Sequence, residues 1–154
     1  MTGKRFILGL IITSLLIFSC GDKTLYDSSI PLDSDWESDR YLLFNNIPAV
    51  QGAEYFIEVS HREDYGFENI YLNAILVANS DTIENRIFSI PLMTPDGIWI
   101  GQRNKGNYLV RHQLPEISFD EYSSIDMNIS QYSRESTLKG VEEITLSVIE
   151  RPSH

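Results

Sequence analysis

The chain has 154 residues, 42% of them hydrophobic, with 22 acids against 12 bases and a single cysteine. That length supports one domain with a real core and is short for two. A net charge of −10 repels phosphate backbones and anionic headgroups, which argues against nucleic acid and a polybasic membrane contact as partners.

The first twenty residues read as a targeting segment. Lys4 and Arg5 precede an uncharged run from Phe6 to Phe18, and Ser19 stands immediately before Cys20. As a helix this run rises about 20 Å, short of the roughly 30 Å hydrocarbon core, so it is a signal peptide and not a permanent span. Ile17-Phe18-Ser19-Cys20 resembles a bacterial lipobox, in which the cysteine thiol is acylated before cleavage. The expected organisation is a signal peptide over 1–19, a lipidated tether over 20–38 and a folded domain over 39–154. Cleavage removes Lys4 and Arg5 and no acid, so the mature charge falls from −10 to −12. With Cys20 acylated no thiol is left, which excludes disulfides, thiolate metal sites and cysteine nucleophiles.

The tether is polar and turn-rich. Asp33, Asp35, Glu37 and Asp39 have the every-second spacing of a calcium loop, but no glycine follows at the turn and Phe44 occupies the place of the closing glutamate. A solvated loop is the expectation there.

Beyond it the pattern is β throughout. A first strand is predicted over Arg40 to Phe44, ended by Asn45-Asn46-Ile47-Pro48. Glu54 to His61 alternates, with Tyr55, Ile57 and Val59 on one face. Ile70 to Ala78 is apolar on both faces apart from Asn73 and is predicted to be central. Asp81 to Leu92 follows, then a short strand Ile98-Trp99-Ile100, an exposed basic loop over 102–107, and Tyr108 to Leu114. Ser124 to Tyr132 points Ile125, Met127 and Ile129 inward, and Glu142 to Glu150 does the same with Ile144, Leu146 and Val148. The only helix-like stretch, Ser133 to Lys139, is too short to stand alone. The fold class is all-β: an antiparallel two-sheet sandwich, with a jelly roll among the arrangements that fit.

No nucleophile elbow, phosphate loop, His-Glu-x-x-His pair or dinucleotide glycine pattern occurs, so no catalytic residue, metal or cofactor is assigned. His61 and His112 would make a metal pair only if their strands were neighbours in register. Asp96-Gly97-Ile98-Trp99-Ile100-Gly101 is the most distinctive internal stretch. Its tryptophan reads as a core ring with glycines allowing close backbone approach, the alternative being an exposed platform for a sugar or a partner. Arg103, Lys105 and Arg111 form the one basic island.

Several of these segments together resemble the gliding-motility lipoprotein GldH family of Bacteroidetes. They are the lipobox at Cys20, Trp36, His61-Arg62 with Tyr65, Glu68-Asn69-Ile70-Tyr71-Leu72, Asp96-Gly97-Ile98-Trp99-Ile100-Gly101, and Arg134 followed by Leu138-Lys139-Gly140-Val141. Ser133 departs from the pattern, standing where the family tends to have an apolar residue. The resemblance implies an envelope lipoprotein that assists the gliding machinery or the linked secretion apparatus, without known enzymatic activity. Its partners would be the membrane, through the lipid on Cys20, and envelope proteins of that apparatus. It implies an outer-membrane or periplasmic location more than an inner-membrane one. Arg62, Asn69, Trp99 and Arg134 are the matched positions, and Arg103 of the basic island joins them as a candidate partner-binding residue. The competing function is a glycan-binding sandwich, which exposure of Trp36 and Trp99 would favour and burial of both would sink.

Overall fold

The computed structural model describes residues 21–33, 35–117 and 122–151; the signal segment and Cys20 lie outside them. Among the described residues eleven strands run in order: β1 (Lys23–Pro31), β2 (Trp36–Glu37), β3 (Leu42–Pro48), β4 (Glu54–Arg62), β5 (Asn69–Ala78), β6 (Asp81–Pro91), β7 (Gln102–Asn104), β8 (Asn107–Gln113), β9 (Ser124–Gln131), β10 (Thr137–Leu138) and β11 (Val141–Glu150). They pair antiparallel as a five-stranded sheet β1-β11-β4-β8-β7 facing a four-stranded sheet β3-β9-β5-β6, with β2 and β10 as a two-stranded clip. Setting the short β2, β7 and β10 aside, the eight long strands pair first-eighth-third-sixth and second-seventh-fourth-fifth. That is the strand order of a jelly roll.

Side-chain alternation builds the core. Tyr55, Ile57 and Val59 of β4, Ile144, Leu146 and Val148 of β11, and Ile125, Met127 and Ile129 of β9 all point into the space between the sheets and are buried, as their period-2 pattern requires. β5 holds an interior place in its sheet, between β9 and β6. Ile70, Leu72, Ala74 and Leu76 face the core, whereas Tyr71, Asn73, Ile75 and Val77 on its other face stay partly or fully exposed. The two-sided apolar pattern therefore reflects an exposed apolar sheet surface and not a strand covered on both faces.

Four local expectations are corrected. The span 20–38 is not tether throughout, because Lys23–Pro31 pairs with β11 from Lys23↔Glu150 to Pro31↔Glu143 as an edge strand. The strand over Arg40 to Phe44 starts later and runs on through Asn45-Asn46-Ile47-Pro48. A bulge between Phe44 and Ile47 absorbs the extra residues, with Asn46 at φ 54 and its N–H donating to Asp126 Oδ1 at 2.8 Å. Ile98-Trp99-Ile100 makes only one isolated bridge, Met93↔Trp99, and the strand lies instead in the expected basic loop. There Lys105 (φ 50) and Gly106 (φ 96) close a two-residue hairpin between β7 and β8, both in the left-handed region that such turns require. Ser133 to Lys139 is bends and the short β10, which clips Leu138 to Trp36.

Candidate functional site

The register fixes two ends of the sandwich. At one end stand Lys23, Pro48, Glu54, Asp81, Gln113, Ser124 and Glu150; at the other stand Pro31, Arg62, Asn69, Pro91, Asn107 and Gln131. All five candidate residues, Arg62, Asn69, Trp99, Arg103 and Arg134, lie at this second end, on β4, β5, the 92–101 loop, β7 and the 132–136 loop.

They do not form one cluster. Asn69 and Arg134 line an open groove of about 900 Å³ together with Tyr65, Phe67, Tyr71 and Tyr132. Tyr65 and Leu138 are its buried residues, Phe67, Tyr71 and Tyr132 stand exposed along it, and Glu68, Glu135 and Arg134 bring the charge. Tyr65 is locked by its hydroxyl, which donates to the Asn69 carbonyl at 3.1 Å, and by edge contact with Phe67 at 5.8 Å between centroids. Burial pushes its phenol well above the ordinary tyrosine range, so it stays neutral at cellular pH. Gly140 packs against it: at φ 87, a Cβ there would lie 3.1 Å from the Tyr65 Cα.

The loop that presents Arg134 is wired by one buried amide. Gln131, 4% exposed, donates through Nε2 to the Glu135 carbonyl at 3.0 Å and accepts at Oε1 from the Ser133 N–H at 2.9 Å and the Ser133 hydroxyl at 2.6 Å. Ser133 thus serves the loop as a hydrogen-bonding residue. Arg134 itself is exposed and forms no ion pair among the described residues.

A second group begins on the other side of Tyr65. The buried His61 ring lies 5.6 Å from Tyr65, 4.8 Å from Trp99 and 5.6 Å from Tyr108, so four rings pack as one block. A small turn places Trp99 there, closed by Thr94 N–H to the Ile98 carbonyl at 2.8 Å and Ile100 N–H to the Leu92 carbonyl at 2.8 Å. Trp99 is partly buried against the core edge, and Trp36 is fully buried, its indole N–H donating to the Arg40 carbonyl at 3.0 Å. Of the two glycines beside Trp99, only Gly101 marks a close approach: its φ is 93, and an added Cβ would collide with the Leu109 carbonyl.

Arg62, Arg103 and Arg111 are engaged. Arg62 bridges Asp64 at 2.9 Å and Glu142 at 2.8 Å, and the hydrogen bond from Arg62 pulls the Asp64 carboxyl below its ordinary range. Arg103 reaches Glu63 at 3.3 Å and lies 5.8 Å from the Tyr108 ring centre. Arg111 covers Phe56 at 4.0 Å on the outer sheet surface, so the basic island is divided between two faces. β4 and β8 are neighbours, but His61 opposes Tyr108 while His112 opposes Ile57. Four residues of strand, about 13 Å, separate the histidines. Among the described residues no group of three or more His, Cys, Asp and Glu is placed to hold a metal ion.

Sequence reasoning reached Asn69 and Arg134 but missed the groove's aromatic lining. The available signal was the apolar residue on the wrong face of an alternating strand: Tyr71 on β5 and Tyr132 just beyond β9.

The model of the GldH lipoprotein family matches residues 24–148. A gliding motility lipoprotein GldH homolog of Christiangramia forsetii is 23% identical over 143 residues, covering 87% of this chain and 85% of the relative. The gliding motility lipoprotein GldH of Flavobacterium johnsoniae is 23% identical over 95 residues, covering 60% of this chain and 59% of that protein. A match that runs from β1 into β11 takes in both sheets, the groove and the ring block, and the chain belongs to the GldH lipoprotein family.

Proposed function

We propose that the mature chain is a lipid-anchored envelope protein, held through Cys20, that acts as a non-catalytic accessory or assembly subunit of a gliding machinery or its linked secretion apparatus. The family match supports the envelope lipoprotein. The observation that carries the interaction role is the groove: Phe67, Tyr71 and Tyr132 stand exposed around Arg134, whose loop is already fixed by Gln131. Aromatic and arginine side chains held in place before binding are the residues that dominate protein contacts. Anchoring on the outer-membrane or periplasmic face raises the local concentration of such a surface, so modest contacts suffice. The non-catalytic reading is in keeping with a family not known as enzymatic.

The glycan-binding alternative loses its main support, since Trp36 is fully buried and Trp99 packs on His61. The test is in-cell crosslinking at native expression followed by mild-detergent pull-down, with Cys20→Ala and Arg134→Glu beside the natural chain. Specific recovery of gliding or secretion subunits, lost in both variants, is the expected result. Recovery of bulk envelope proteins alone would refute it.

A further inference from the structure

From the place where the chain enters the fold we infer how the domain stands on its membrane: the end carrying Gln51, Asp81 and Glu116 faces the bilayer, and the aromatic groove points away from it. This rests on acylation at Cys20 and adds an orientation to it.

The reach of the stem decides the matter. Only Gly21 and Asp22 separate Cys20 from Lys23, the first residue of β1. Three residue steps span at most about 11 Å. Lys23 is not free to drift, because it is paired in register with Glu150, and an ion pair at 3.4 Å joins the two side chains. The start of β1 must therefore sit within about 11 Å of the lipid surface. The same end holds the β3–β4 turn with Gln51 and Gly52, the β5–β6 turn with Asn79 and Ser80, and Pro115 and Glu116 after β8. β1 has nine residues, so its far end at Pro31, with the groove beyond it, stands about 30 Å further along the strand direction.

Two lateral poses fit less well. Laying the exposed apolar face of the four-stranded sheet (Leu43, Tyr71, Ile87) on the bilayer would lift β1, which belongs to the other layer, by the roughly 10 Å between sheets plus the height of the outward side chains. That exceeds the stem. The outer face of the five-stranded sheet lies in β1's own layer but carries Asp27, Glu58 and Arg111, whose hydration a lipid surface would strip. The upright pose keeps β1 within the reach of the stem and sets only strand ends and turn tips, Asp81 and Glu116 among them, at the hydrated headgroups, with no sheet face laid on lipid.

The chain has one cysteine, so once Cys20 is acylated an introduced thiol is the only site for a label. Gln51→Cys, Leu43→Cys and Glu135→Cys, each carrying a fluorophore, would be prepared as acylated full-length mature protein. They would be reconstituted in phosphatidylcholine vesicles with headgroup-quencher lipid. The orientation predicts strong quenching at 51, weaker quenching at 43 and none at 135. Strongest quenching at 43 or at 135, in protein whose acyl mass is verified, overturns the orientation and leaves the anchor standing. A purified chain with no acyl mass on Cys20 overturns the anchor itself and the orientation with it.

Discussion

His61 and Tyr108 stack across neighbouring strands, centroids 5.6 Å apart and planes 19° from parallel, at register partners of β4 and β8. The His61 ring has no solvent exposure; its Nδ1 pairs with the Arg62 carbonyl at 2.9 Å, and its Nε2 has no hydrogen-bond partner among the described residues. With a carbonyl before Nδ1, the proton sits on Nδ1 and Nε2 keeps a bare lone pair among rings. The packing behind the groove is therefore built around a neutral imidazole.

Charging that imidazole opposes folding. Burial depresses the His61 pKa below 6.5, and His112 shifts in the same direction for the same reason. As pH falls below 6.5 the unfolded chain takes up protons that the folded chain refuses, so stability present above 6.5 is lost toward the depressed values. The melting temperature is expected to fall between pH 7.5 and pH 5. In His61→Phe that slope should be shallower, with the His112 share remaining. An unchanged slope would contradict a neutral buried His61.

Trp36 closes the core under the β2–β10 clip, so Trp36→Ala removes a fully buried indole and should cost about 3–5 kcal/mol, a large part of a typical domain's stability. Denaturant unfolding measures it. Acrylamide quenching of the natural chain should show one shielded indole, Trp36, and one partly accessible indole, Trp99, with only the accessible component left in any folded Trp36→Phe protein.

Gly101→Ala is expected to destabilise by at least 1–3 kcal/mol, because the residue is held at φ 93 and its new methyl would strike the Leu109 carbonyl. Gly97→Ala meets open space and carries only the penalty of its positive φ, so its melting temperature should fall less. Equal losses would show that backbone approach at Gly101 is not the constraint.

Gln131 and Arg134 separate folding from binding. Gln131→Leu leaves the Ser133 N–H and the Glu135 carbonyl without their partner, at about 1–3 kcal/mol, and frees the loop. Arg134→Ala touches an exposed side chain and should stay within about 0.5 kcal/mol of the natural chain. Both should reduce partner recovery; Arg62→Ala, which removes exposed ion pairs to Asp64 and Glu142, should cost under about 1 kcal/mol and leave recovery intact.

Where one face of a strand meets the core, the chain spells it out: Ile125, Met127 and Ile129 needed only period-2 reading. Edges and irregularities were not legible. β1 hides because an edge strand with a register shift between Thr24 and Tyr26 needs only half-buried Leu25, Tyr26 and Ile30, set among Asp27, Ser28 and Ser29. Asn45-Asn46 looked like a stop because a bulge and a turn use the same left-handed residues. The groove was least legible of all, since Tyr65, Tyr71, Tyr132 and Arg134 are brought together by a strand order that no local pattern encodes.

The most direct measurement is site-specific photo-crosslinking in the native cell, with a photoreactive residue at Tyr132 in the groove or at Thr145 on the opposite sheet's outer face. A discrete adduct with a gliding or secretion subunit is expected at 132, abolished by Arg134→Glu, and none at 145. Adducts of equal yield at both positions, or at 145 alone, would contradict the groove as the partner-binding surface.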